Sequence, residues 1–342
     1  MKDISMANQV RLKYIDILKG VSILCIVLMH FEEGVFPLWL CVWIGSFMVT
    51  AFFFTSGWLL SAKGKVMDVK TFFKKRFRSL GIPYLWFSAL ILLLDLILLI
   101  VGFYDGQIIL RDLCKTFMLR GIGTLWFLPA LLFGETIFVY LRNKDRRWLW
   151  AIALVLSLVY LHYYWYWNGH YRNMNSLYKI LDTPFHAFHN AIRGWIVIAC
   201  GYKLQQMYRR YLSHLSSLFD ITLGVGLCAV SVYLASFLPF NPDAFNIFLA
   251  PVVGPFGLLL VAKGVERMKV CCFFDYWGKN SLALMATHYS IVLVLFQILN
   301  QHLYGETKLT GVSSLVFFVL AMMIEYPIVD VINKRFRFLL GK

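Results

Sequence analysis

Five ionisable side chains interrupt segments that are otherwise apolar: Asp16, Lys19 and His30 in one, His288 in a second and Glu325 in a third. An Asp or Lys at the centre of a membrane helix costs about 2.5–3.5 kcal/mol on insertion scales, so such residues are functional candidates by default. Lys19 and His30 are eleven residues apart. On a helix that is three turns, which places them on nearly one face and roughly 16 Å apart. Asp16 stands about one turn from Lys19 and can pair with it; snorkelling at a membrane edge accounts for this pair equally well. His30 closes the unbroken run Val21 to Met29 and is followed by Glu32 and Glu33. An imidazole in that setting serves as a general base, or as a nucleophile that carries a group covalently.

Supporting residues fall into an outer and an inner group. His288 ends the segment Asn280-Ser-Leu-Ala-Leu-Met-Ala-Thr-His288, where Asn280 is a candidate helix N-cap. Glu325 precedes Pro327, and a proline in that position frees a backbone carbonyl and kinks its helix. Arg193 closes the polar stretch from His186. Phe52-Phe-Phe-Thr-Ser56-Gly57-Trp58 is a small polar step within aromatic bulk, and Trp126-Phe127-Leu128-Pro129 opens another apolar run. Lys74, Lys75, Arg76 and Arg78 make 61–79 the most basic connection. They serve either to fix the chain's orientation or to bind a phosphate-bearing ligand.

These residues need helices to position them. The chain has 342 residues, 60% hydrophobic and only 15% charged, with a net charge of +15. That excludes a soluble globule, a disordered chain and a fibre. Hydropathy predicts an all-α polytopic membrane protein with about ten spans near 15–36, 39–60, 80–102, 125–141, 148–166, 190–207, 218–238, 244–263, 280–300 and 312–333. Of 33 Lys and Arg, only Arg111, Lys115, Arg120, Arg172, Lys179, Arg193 and Lys308 fall in one alternate set of connections. The other set holds the rest, so both termini are expected in the cytoplasm. The first run reads as a retained signal anchor. Residues 1–342 read as one integral-membrane domain, with 167–190 as an outer covering loop. The scattered basic residues do not form the single water-facing patch that nucleic acid requires. Seven cysteines without paired spacing give neither a disulfide scaffold nor a zinc site, and no metal is expected. No P-loop, HExxH or GxSxG occurs.

The stretch RLKYIDILKGVSILCIVLMH (11–30) resembles the opening of the integral-membrane acyltransferase-3 family, whose basic-x10-His element falls on Lys19 and His30. FFFTSGW (52–58), FFKKRFRSLGIPY (72–84), LWFLPAL (125–131), GYKL (201–204), WGKNSL…H (277–288) and the E.P at 325–327 continue the likeness in order. LWFLPAL and GKNSL are most similar to the fucose 4-O-acetylase-like subset. Where the family has arginine-x-x-arginine, this chain has Lys75-x-x-Arg78.

The resemblance implies transfer of an acyl group, usually acetyl, from cytoplasmic acetyl-CoA or another acyl-CoA to a hydroxyl of a sugar in a lipid-linked or cell-surface glycan. It also implies a bacterial-type inner (plasma) membrane location. His30, Lys19 and Asp16 are then the catalytic candidates, and Ser56, Trp126 and His288 the candidates for stabilising the oxyanion that acyl transfer forms. Lys74, Lys75, Arg76, Arg78, Ser56 and Trp126 are the donor side; His288, Glu325, Arg193 and Asn280 are the acceptor side or its support. The expected cavity lies between spans 1, 2, 3, 9 and 10. The same buried groups also permit a proton-coupled transporter or glycan flippase, with His30, His288, Lys19 and Glu325 as its relay.

Overall fold

Hydrocarbon offers the backbone no partners, so apolar runs must satisfy their own hydrogen bonds as helices. The computed structural model describes residues 11–32, 34–64, 66–144, 146–171, 176–237, 246–304 and 312–342, with backbone alone for 169–171, 176–181, 246–248, 303, 304, 312 and 313. The first half holds α1 (Lys13–Phe31), α2 (Leu38–Phe47), α3 (Thr50–Ala62), α4 (Val69–Arg76), α5 (Ile82–Ile100), α6 (Gly106–Phe117) and α7 (Phe127–Lys144). The second half holds α8 (Arg147–Tyr171), α9 (Ser176–Met207), α10 (Ser217–Ser236), α11 (Asn246–Val265), α12 (Cys271–Lys279), α13 (Ser281–Thr287), α14 (Val294–Tyr304) and α15 (Val312–Arg335).

Among the described residues, 8 stretches are long and apolar enough to cross a membrane, and Leu249–Val265 is a shorter apolar helix. The chain is a multi-pass membrane protein. The expected span 190–207 is the second half of α9 and is not among those 8 stretches, since Asn190, Arg193, Lys203, Gln205 and Gln206 lower its hydropathy. The expected loop 167–190 is mostly helix: α8 runs to Tyr171 and α9 begins at Ser176. Pro184 lies inside α9. Residues 172–175, including Arg172, lie outside the described residues.

Glycines set the two closest helix crossings. A Cβ on Gly20 would stand 1.9 Å from the Phe274 carbonyl oxygen, and one on Gly278 1.7 Å from that of Asp16. The backbones of α1 and α12 therefore touch. Likewise α3 meets α9 through Gly57 against Ile198 and Gly201 against Phe54. Small residues give membrane helices the close packing that lipid cannot drive by hydrophobicity. The SGW, GYKL and WGK motifs are thus, in large part, packing motifs.

Two irregular turns bring side chains to the interior. A wide π-turn at Phe77–Gly81 joins α4 to α5 just before Pro83, taking up the backbone bond that proline cannot make. A second π-turn, His288–Leu293, joins α13 to α14. Beyond α5 the chain folds back as α6, capped by Asp105, whose carboxylate accepts from the Gln107 and Ile108 N–H groups. The Tyr84 hydroxyl donates to the Thr116 carbonyl at 2.7 Å and ties α5 to α6. A short 3-10 turn, Gly123–Trp126, then leads into α7. Asp220 joins α10 to its neighbours, accepting from Lys263 of α11 at 2.7 Å and from the Tyr208 hydroxyl at 2.9 Å.

Candidate active site

His30 lies in the last turn of α1 and is partly accessible, whereas His288 is fully buried. Each Nδ1 sits on the carbonyl one turn back in its own helix: His30 on Ile26 at 2.8 Å, His288 on Leu284 at 2.7 Å. A carbonyl only accepts, so both Nδ1 atoms carry the proton. His288 Nε2 then holds a lone pair, and it stands 3.3 Å from His30 Nδ1. The His30 Nδ1–H is shared between Ile26 and His288. That leaves His30 Nε2 as an acceptor with no protein partner among the described residues, the arrangement a general base or a nucleophile needs. Tyr289 packs edge-on against the His30 ring at 4.7 Å.

The elements behind this pair hold it in register. Thr124 of the 3-10 turn donates to the Met285 carbonyl at 2.6 Å, and a Cβ on Gly123 would meet the Ser290 hydroxyl at 2.4 Å. The π-turn bearing His288 is thus clamped against the entry to α7. Glu325 is fully buried and accepts from Thr287 at 2.7 Å; its other oxygen has no partner among the described residues. Asn280 does not cap α13. Its side chain instead donates to the Tyr276 carbonyl at 2.9 Å and accepts from Asn333 of α15 at 2.8 Å, bracing α12 against α15.

The second cluster lies toward the other end of α1. Asp16 does not pair with Lys19; it binds Arg11 through Nε at 2.5 Å and Nη2 at 3.2 Å. Arg11 precedes the helix and reaches the carboxylate directly. Lys19, partly accessible, forms no ion pair among the described residues, although Asp16 and Glu135 act on it as attractive charges and Arg76 as a repulsive one. Glu135 of α7 is 2% exposed and takes both the Arg76 guanidinium and the Ser56 hydroxyl. Arg76 is therefore held by protein, while Lys74, Lys75 and Arg78 are exposed and unpaired among the described residues.

Sequence reasoning missed Glu135, although the criterion that found Glu325, an ionisable group inside a span, applies to it equally. It also missed Tyr289, for which no local signal exists. The expected set of spans 1, 2, 3, 9 and 10 leaves out α7, whose buried Glu135 takes Ser56 and Arg76. Of the oxyanion candidates, Ser56 donates to Glu135, and His288 has its one N–H on Leu284, so neither has a donor to offer. Trp126 does: its half-buried ring contacts Phe127, and its indole N–H bonds to nothing among the described residues. Tyr163, Trp165, Tyr166 and Trp167 are exposed on α8, as a membrane-interface belt requires, whereas Tyr164 is buried against His186 at 2.9 Å.

A family model described as an acyltransferase domain, acyltransferase family 3, matches residues 12–329. The chain belongs to that family and is a membrane-bound acyltransferase. No curated protein matches it, and no solved structure does.

Proposed function

We propose that the protein is a sugar O-acyltransferase of the fucose 4-O-acetylase-like kind, moving acetyl from cytoplasmic acetyl-CoA to a hydroxyl of a glycan at a bacterial-type inner membrane. His30 Nε2 takes the proton of the acceptor hydroxyl as its oxygen attacks the thioester carbonyl. The tetrahedral oxyanion faces the Trp126 N–H and collapses to the ester. The CoA thiolate leaves and recovers the proton from the His30 imidazolium. His288 Nε2 accepts from His30 Nδ1–H throughout, favouring the imidazolium formed midway. The exposed Lys74, Lys75 and Arg78 suit the donor's phosphates, and Lys19 shares α1 with His30, eleven residues before it.

The observation that carries this reading is the free, partly accessible Nε2 of an imidazole whose other nitrogen is fixed, in a chain of the acyltransferase family. The test is thiol release from acetyl-CoA by purified protein with and without a fucose- or hexose-terminated oligosaccharide. Acceptor-dependent release that disappears in His30→Ala is expected. Release that ignores the acceptor, or that survives in the variant, refutes it.

A further inference from the structure

Arg193 is exposed, yet it lies deep within the protein on a helix packed against α3, α7 and α8. Its neighbours Ala191, Ile192 and Trp195 are buried, and Gly194 fits closely over the Phe53 ring. The outward strip of α9 carries exposed Phe185 and Phe188. At about 100° per residue Arg193 is on a different strip, shared with His186 and His189. The guanidinium therefore leaves the helix on the His186–His189 side, where α8 packs, and not on the Phe185–Phe188 side.

No acidic side chain among the described residues forms an ion pair with it. The nearest acid along α9, Asp182, is taken by Arg120 at 3.9 Å and the Tyr164 hydroxyl at 3.4 Å. His189 stacks on Tyr164 with ring centres 4.4 Å apart, and its Nδ1 is buried with no partner among the described residues. A cation and a buried imidazole nitrogen, one turn apart on a membrane helix and both without a partner among the described residues, are costly unless a ligand completes them.

We propose that Arg193 and His189 form the anion-recognising part of the acceptor site, and that the acceptor carries an oxyanion, either the carboxylate of an acidic sugar or the pyrophosphate of a lipid carrier. This rests on the acyl-transfer reading and names its acceptor class. The donor's phosphates are not the occupant. Arg193 is fourteen residues from Met207, about 21 Å along the helix from the end that carries Arg209 and Arg210, and the unpaired donor-side cations lie on α4 and the turn after it. A planar guanidinium gripping a carboxylate or phosphate in bidentate fashion supplies both affinity and orientation.

The experiment titrates the purified protein in nanodiscs, without acetyl-CoA, with glucuronate, glucose and an isoprenyl pyrophosphate. The wild type should bind one of the anions about 10- to 100-fold more tightly than glucose, the ratio expected for a charge-assisted contact. Arg193→Gln should abolish the preference and Arg193→Lys keep part of it. Which anion wins identifies the source. A wild type that binds neither anion better than glucose overturns the proposal even if the Gln variant fails to fold, and so does a preference that persists in a folded Arg193→Gln. Binding is read apart from catalysis. Arg193-dependent binding by a protein that never transfers acetyl would sink the acetyl-transfer reading and, with it, the acceptor role, while leaving the anion site itself established.

Discussion

The Nε2 atom of His288 lies 3.3 Å from Nδ1 of His30, and both rings have their Nδ1 protons committed to carbonyls of their own helices. One histidine thereby orients the other. Removing His30 removes the base itself, and His30→Ala should lower kcat about 10²- to 10⁴-fold. His288→Ala should cost less, about 10- to 100-fold, the worth of one hydrogen bond to a charged group. The loss should fall on kcat with donor KM little changed. Steady-state kinetics of the two variants decide the order; an equal loss in both would mean that His288 reacts directly.

Glu135 joins α3, α4 and α7 through Ser56 and Arg76. A carboxylate this buried tolerates the loss of its cation poorly. Arg76→Ala or Glu135→Ala should each destabilise the protein by about 3–5 kcal/mol. The double variant should lose clearly less than the two together, because it strands no charge. Thermal unfolding in detergent across all four proteins reads the coupling. Strict additivity would show that the ion pair has no energetic reality.

Much of this was legible in the sequence because a bilayer leaves so few options. Long apolar runs had to become helices, and His30, His288 and Glu325 stood out as groups a membrane does not tolerate idly. Partner choice was not legible. Arg11 lies ahead of α1 and still displaces Lys19 from Asp16, and Asn280 leaves its cap position to reach Asn333 on a distant helix. Both are tertiary outcomes that helical spacing does not encode. The polar first half of α9 hid a continuous helix, because hydropathy reads a stretch with His186 and His189 as a loop whether or not a helix carries it.

Gly20 and Gly45 separate packing from propensity. At Gly20 an added Cβ meets backbone at 1.9 Å, and no rotamer relieves that. Gly20→Ala should force α1 and α12 apart at a cost of about 1–3 kcal/mol or more, and Gly20→Val should abolish folded yield. At Gly45 of α2 nothing lies within 4 Å. Gly45→Ala should raise stability by about 0.5–1 kcal/mol through helix propensity. Size-exclusion yield and melting temperature in detergent check both, and a tolerated Gly20→Val would contradict the crossing.

Lys63 stands at the end of α3, just past its membrane-spanning stretch. Burial, with the charges of Lys75 and Arg76 adding to it, holds its ammonium below the usual lysine range. A lysine so placed loses its proton at a lower pH than an exposed one. If its charge helps to bind the donor's phosphates, donor KM should rise with pH as Lys63 deprotonates, beginning below the ordinary lysine range. The sign follows from the free protein: the cation is present below that lowered pKa and lost above it, while a bound anion pulls the pKa back up and binding takes up a proton. Lys75→Gln removes one repulsive neighbour. It should therefore move the rise in KM to higher pH, even as it weakens binding at neutral pH. Lys63→Gln should flatten the alkaline rise altogether. Donor KM measured across the alkaline range at fixed ionic strength reads all three, since screening alone also weakens phosphate contacts. A KM profile that keeps its shape in Lys63→Gln would place the titrating group elsewhere.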